Sequence, residues 1–234
     1  MGSKMALTTR ARPRAFKLIM RPRKSILSTA TLVSEGKALI YGVFRRDSTI
    51  LTLVRYEACS KKGLRKFIEA LEKASTIKNI CLLQKDPGGC LILLEKELCE
   101  FYDYTLGSGI PILFPYIMRR GYRSFVIIIP SSSSYPLVRK ELERHGQIVE
   151  MKRISLTEAL RTIERHIVSC ELRALLTPTQ RRVIETAFKR GYYDWPRRVQ
   201  LNALSQIIGI SKATVSEHLR KSERKILSLI LSSS

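Results

Sequence analysis

The 234-residue sequence predicts an α+β protein: a mixed sheet-and-helix domain, a connecting helix, and a small all-helical unit at the C-terminal end. Three observations predict it. Short apolar runs of strand character, separated by turn residues and by helical stretches, fill residues 38–154. A narrow apolar seam of helical period then runs from Leu156 to Ala174. Beyond Thr177 the apolar spacing is helical, with a cap residue where each helix starts.

Composition narrows the function classes. With 44% apolar residues the chain can bury a core, in two compact units. No stretch approaches the ~20 consecutive apolar residues of a spanning helix, so no membrane partner is expected. The opening Met1-Gly2-Ser3-Lys4 leads into basic residues without the apolar segment of a secretory signal, and the expected location is cytoplasmic. Five cysteines without a C-x-x-C pair present no metal motif with the three histidines and are read as small buried hydrophobes. There is no Walker loop, no G-x-S-x-G and no paired metal ligands, so neither an enzyme nor a cofactor is expected.

The formal charge is +22, from 42 Lys and Arg against 20 Asp and Glu. Residues 1–25 hold eight cations and no acid, and residues 177–234 hold 11 cations and 4 acids. A core with basic appendages has this distribution, and nucleic acid is its expected partner. Residues 1–25 are therefore read as a basic flexible arm, whose Arg10-x-Arg12-Pro13-Arg14 and Arg21-Pro22-Arg23-Lys24 suit a minor groove. A solvated tail without specific contacts is the alternative.

The elements follow in order. Residues 38–44 and 49–56 form a hairpin around Arg45-Arg46-Asp47-Ser48. Leu64, Phe67, Ile68 and Leu71 define a helix over 61–74, and residues 77–83 and 90–94 a second hairpin around Asp86-Pro87-Gly88-Gly89. A short helix over 98–106 closes at Gly107, and residues 110–118 and 122–129 pair around Arg119-Arg120-Gly121. A helix over 137–145 and a strand over 147–154 complete a ferredoxin-like/ACT-like α+β domain spanning 26–155. Such a domain suits regulation or dimerisation, with a small-molecule effector as a further possible partner.

Ser155 and Glu158 fit a capping box that starts the connecting helix, residues 156–176. Leu156, Leu160, Ile163, Ile167, Cys170 and Ala174 recur at spacings of four and three along it. The seam either pairs two subunits, making a homodimer whose Cys170 side chains approach each other, or packs on its own sheet.

Residues 177–234 carry the function. Thr177 at an N-cap, Pro178 in the first turn and Gln180 three residues on start a helix that buries Val183, Ile184, Ala187 and Phe188 and ends at Gly191. Leu201, Leu204 and Ile208 face inward from a second helix. Gly209-Ile210 turns the chain, and Ser211 caps a third helix with Val215 and Leu219 inward. With small Ser205 at the crossing and Gly209 at the turn, this is helix-turn-helix spacing. A step of 100° per residue then turns Ala213, Ser216, Glu217, Arg220 and Arg224 outward on a recognition helix of about residues 211–225, flanked by Lys212 and Lys221.

Lys212, Ala213, Ser216, Glu217 and Arg220 are the candidate base readers of double-stranded DNA: Arg220 for guanine, Ala213 for a thymine methyl, Glu217 for cytosine N4. Glu217 has a second reading, orienting Arg220 or Arg224 through helical pairing. Arg181, Arg182, Arg197, Arg198, Ser211, Lys221 and Arg224 are the candidate phosphate contacts.

The words Leu176-Thr177-Pro178 with Gln180-Arg181, Gly191-Tyr192 with Asp194 and Pro196-Arg197-Arg198, Gly209-Ile210-Ser211-Lys212, and Ser216-Glu217-His218-Leu219-Arg220 closely resemble the helix-turn-helix domain of archaeal bacterio-opsin activator-like transcription regulators. Residues 99–154 resemble more faintly the α/β module that precedes it there. The resemblance implies an archaeal, cytoplasmic, site-specific DNA-binding regulator. Asn202 and Ser205 depart from the acidic residue and Ala of that pattern, which bears on the target sequence and not on the fold. The competing class is a non-specific architectural nucleic-acid-binding protein.

Overall fold

The computed structural model describes residues 13–86, 88–131 and 134–231. The chain divides into two compact units, Met1–Ile167 and Val168–Ser234, each with its own core. The dividing point falls inside the connecting helix.

The first unit opens with strand β1 (Arg14–Pro22), which corrects the reading of residues 1–25 as a flexible arm. Phe16, Leu18 and Met20 are buried in the main core and alternate with Lys17, Ile19 and Arg21 on the other face. The cations that suggested an arm occupy the positions a half-buried strand leaves for polar residues. Residues 1–12, with Arg10 and Arg12, lie outside the described residues.

Helix α1 (Ile26–Ser34) has no counterpart in the sequence reading either. Ser25 sets its start, its Oγ accepting from the Ser28 amide at 3.3 Å. Ser28, Thr31 and Ser34 lie on its buried side, and the Thr31 hydroxyl donates to the Ser28 carbonyl at 2.9 Å. A helix whose inner face carries three hydroxyls shows no apolar period, the signal by which an amphipathic helix is recognised.

The remaining elements are β2 (Lys37–Arg46), β3 (Thr49–Glu57), α2 (Lys61–Glu72), β4 (Ile77–Asp86), β5 (Gly89–Glu97), α3 (Glu100–Gly107), β6 (Ile112–Arg119), β7 (Tyr122–Ile129), α4 (Tyr135–His145) and β8 (Gly146–Ile154). All eight strands join one antiparallel sheet in the order β4-β5-β3-β2-β6-β7-β1-β8.

With β1 and α1 in place the chain reads as two β-α-β-β-α-β repeats, from β1 to β4 and from β5 to β8. The repeat frame therefore begins at Arg14. Within each repeat the second and third strands form a hairpin and the fourth lies at the sheet's outer edge. The place between third and fourth is taken by the other repeat's first strand: β5 lies between β3 and β4, and β1 between β7 and β8. This exchange, with the β2·β6 pairing at the centre, ties both halves into one folding unit.

Tyr56, Phe67, Ile92 and Leu94 fill the core of one half, with the Tyr56 and Phe67 rings stacked at 3.7 Å between centroids. Gly89 starts β5 where that strand runs against β3, and a Cβ there would lie 1.9 Å from the Tyr56 carbonyl oxygen. Gly89→Ala is expected to cost on the order of 2 kcal/mol or more, because the obstacle is backbone and no rotamer change relieves it. Chemical denaturation checks this, with a drop in midpoint at unchanged slope as the expected result.

Helix α5 (Leu156–Leu175) starts at Ser155, whose Oγ accepts from the Glu158 amide at 3.0 Å. Ala159 is fully buried with Ala15, Val126 and Ile154, so the first turns of α5 cover the sheet face opposite Phe16, Leu18 and Met20. His166 bonds to the Pro115 backbone, and its imidazole pKa is held below the usual value by burial first and then by Lys37, with Lys17 acting in the same direction.

The expected seam is not uniformly exposed or buried. Ile163 is half-buried beside Leu113, Pro115 and Val126, and Cys170 is buried. Leu156, Leu160, Ile167 and Ala174 remain exposed. Of the other cysteines, Cys90 is buried and Cys99 half-buried, while Cys59 and Cys81 are exposed, contrary to their reading as buried hydrophobes.

The second unit holds α6 (Pro178–Lys189), α7 (Leu201–Ile208) and α8 (Lys212–Leu231). Val183, Ala187, Leu204, Ile208, Val215 and Leu219 form its core, with Ile184 and Leu201 packed at the margin. Phe188, expected on the inner face of α6, is 74% exposed.

Candidate nucleic-acid interface

Local chemistry positions the three helices of the second unit. Thr177 and Gln180 close a capping box at the start of α6: Thr177 Oγ1 accepts from the Gln180 amide and Gln180 Oε1 from the Thr177 amide, both at 3.2 Å. Gly209 ends α7 in the left-handed region at φ 77°, where its amide donates to the Ser205 carbonyl at 2.9 Å. Half-buried Ser205, at the expected helix crossing, returns its hydroxyl to the Asn202 carbonyl at 2.7 Å. Ser211 then caps α8, its Oγ accepting from the Thr214 amide at 3.1 Å.

A second set of bonds holds α8 in place, and the sequence reading missed it. Lys225 Nζ donates to the Leu175 carbonyl at 2.9 Å and to Gln180 Oε1 at 3.1 Å, joining α8 to the end of α5 and the start of α6. The Tyr193 hydroxyl donates to Glu223 at 2.6 Å, which anchors the loop before α7, and burial followed by this carboxylate raises the phenol's pKa. Neither contact has a sequence signal, since each pairs residues 30 or more positions apart.

With Val215, Leu219 and Ser222 buried, α8 turns Lys212, Ala213, Ser216, Glu217 and Arg220 to solvent as one exposed face. All five candidate base readers stand together on it. Glu217 bonds Lys221 at 2.5 Å, four residues on, and this ammonium holds the carboxyl below the usual carboxylate range. Its helical partner is thus Lys221, and neither Arg220 nor Arg224.

The candidate phosphate contacts divide. Arg224 is exposed on α8 beside Arg220. Arg197 is exposed with its guanidinium 4.5 Å from the Tyr192 ring centre, and Arg198 pairs with Asp194 at 2.9 Å. A guanidinium carries five N–H donors, so each has donors beyond these contacts. Arg182 donates to the Ile208 carbonyl at 2.8 Å, which ties α6 to the end of α7, and Arg181 is half-buried. The Ser211 hydroxyl is engaged at the cap with Thr214, and Lys221 with Glu217. Trp195 was not among the expected contacts, yet it is 95% exposed beside Pro196, Arg197 and Arg198.

A three-helix unit with a closed apolar core, a glycine turn and a last helix presenting cations defines a helix-turn-helix. Residues 176–228 match the family described as HTH DNA binding domain. This part of the chain is a helix-turn-helix DNA-binding domain.

The related proteins are regulators of Haloferax volcanii. The transcriptional regulator NarO is 38% identical over 56 residues, which is 24% of this chain and 26% of that protein. The dimethyl sulfoxide reductase transcriptional activator is 26% identical over 119 residues, 50% of this chain and 55% of that protein. A third, named provisionally as a transcriptional regulator, is 36% identical over 92 residues, 36% of this chain and 16% of that protein. The matches thus span less than two thirds of each relative's length. No solved structure matches the chain. Among the described residues no helix is long and apolar enough to cross a membrane.

Proposed function

We propose that the chain is a site-specific transcription regulator, non-enzymatic and cytoplasmic, which reads double-stranded DNA with α8 in the major groove. The observation that carries this is the single exposed face of Lys212, Ala213, Ser216, Glu217 and Arg220 on a capped, core-packed helix-turn-helix. Arg197, Arg198 and Arg224 serve as phosphate contacts that set register. Arg181, Arg182, Ser211 and Lys221 act beside them only with donors that their internal bonds leave over. The basic residues 1–12 add a sequence-independent contact.

The protein acts as a homodimer through the exposed apolar residues Leu156, Leu160 and Ile167 of the first unit. Cys170, being buried, takes no part in a cross-link. In a symmetric dimer two recognition helices enter successive major grooves ~34 Å apart, so the binding site is an inverted repeat.

Retention of fragmented genomic DNA on the purified protein at physiological salt, followed by sequencing, tests this. The expected result is a small set of enriched fragments sharing an inverted repeat. Uniform retention would replace site-specific regulation with architectural binding, and enrichment of single half-sites would remove the dimer.

A further inference from the structure

A cavity of about 470 Å³ opens in the first unit between the starts of α1 and α3, against β5, β6 and β7. Two buried cations stand in its wall, and Arg23, Lys24 and Arg144 line its exposed rim. Arg123 on β7 is 2% exposed and Lys96 on β5 is 7% exposed. The Arg123 guanidinium lies 3.8 Å from the centre of the Phe101 ring, and its buried Nε has no hydrogen-bond partner. The Lys96 ammonium lies 3.8 Å from Cys99 Sγ and 5.3 Å from the Tyr102 ring centre.

Neither cation has a carboxylate partner among the described residues. Two acids also line the cavity, but Glu97 is exposed and paired with Lys78 at 2.8 Å, and Glu100 is exposed at the first turn of α3. Cys99, the N-cap of α3, makes no side-chain cap bond. Burial is the main cause that lowers the Lys96 ammonium's pKa; the neighbouring Cys99 opposes it, and Arg123 acts in the same direction as burial. Two like charges held out of water without a counter-charge destabilise a fold, and an anion seated between them removes that cost.

We propose that this cavity is a binding site for a small organic anion, its charged head between Arg123 and Lys96 and a short apolar body against Ile26, Leu27 and Met118. Arg123 is pre-positioned by the rings of Phe101, Tyr102 and Tyr116, the last two joined by a hydroxyl–hydroxyl bond, so little ordering is required of it on binding. The site gives the small-molecule effector that the sequence leads one to expect a place and a ligand class. Anion binding itself does not depend on DNA recognition.

The test is amide hydrogen exchange on the full chain without DNA, at constant ionic strength in chloride, with inorganic phosphate in one arm and succinate in the other. Protection over residues 96–102 and 118–125 is expected in at least one arm, and the arm that responds identifies the head group. Lys96→Met is the diagnostic variant. It removes a buried like charge, so its melting temperature in chloride is expected to rise, while the anion response weakens about tenfold or more. A purely structural lysine would give the opposite sign of stability change and an unaltered response. Protection confined to residues 176–228, protection in neither arm, or an undiminished response in Lys96→Met overturns the proposal. Because no DNA is present, failure to find a specific DNA site leaves this result standing.

Discussion

Deleting residues 1–24 is expected to abolish cooperative folding of the first unit, whereas deleting residues 1–12 leaves its unfolding transition in place. Strand β1 is hydrogen-bonded on both sides, to β7 from Arg14 opposite Ile129 to Met20 opposite Arg123, and to β8 from Ala15 opposite Ile154 to Pro22 opposite Gly146. The longer deletion removes Phe16, Leu18 and Met20 from the main core, and buried side chains of this size contribute ~2–5 kcal/mol each. Their sum is comparable with the whole stability of a domain, ~5–15 kcal/mol. It also leaves β8 without a partner strand, since β1 is its one neighbour in the sheet. Thermal unfolding followed by far-UV circular dichroism separates the outcomes. A sharp transition surviving the longer deletion would mean that β1 is not an integral strand.

The same comparison isolates the electrostatic contribution of the N-terminal end. Residues 1–12 carry Lys4, Arg10 and Arg12, and their removal is expected to weaken DNA binding and flatten its salt dependence without altering sequence preference. An unchanged slope would exclude these residues from the interface. Deleting as far as residue 24 confounds charge with folding, because Arg14, Lys17 and Arg21 belong to a strand.

Arg220→Ala is expected to lower discrimination between specific and random DNA by ~1–3 kcal/mol, the range for one bidentate contact to a base edge. Arg220 stands exposed on the same side of α8 as Ser216 and Glu217, and it forms no ion pair among the described residues. Arg198→Ala is expected to weaken specific and random binding about equally and by less, since its guanidinium already pairs with Asp194 and lies in the loop before α7. Competition titrations with each variant, read by anisotropy of labelled duplexes, give both numbers. Equal losses on the two DNAs for Arg220→Ala would remove it from the reading face.

Glu217 belongs to the same experiment. Its bond to Lys221 gives the carboxylate a structural partner, so a loss of site preference in Glu217→Gln without loss of random binding would mark it as a base reader. An unchanged preference would leave it as the group that holds Lys221.

The helix-turn-helix was legible in the sequence because its determinants are local. The Thr177–Gln180 capping box, the Gly209 turn and the Ser211 cap each act within four residues, and Val183, Leu204, Val215 and Leu219 declare their burial by helical spacing. Phe188 shows the limit of helical spacing: its position suits the inner face, but among the described residues none buries it. Composition and motif together also pointed to nucleic acid as the class of partner. Only the tertiary structure decided the rest. The exchange of β1 and β5 between repeats joins residues more than 100 positions apart, such as Arg14 and Ile129, and no local period encodes a strand's partner. Lys17 and Arg21 hid β1 because charge is compatible equally with an arm and with the outer face of a strand. The buried pair of Arg123 and Lys96 arises only when β5 and β7 are brought to the same cavity, since in sequence each is one cation among 42.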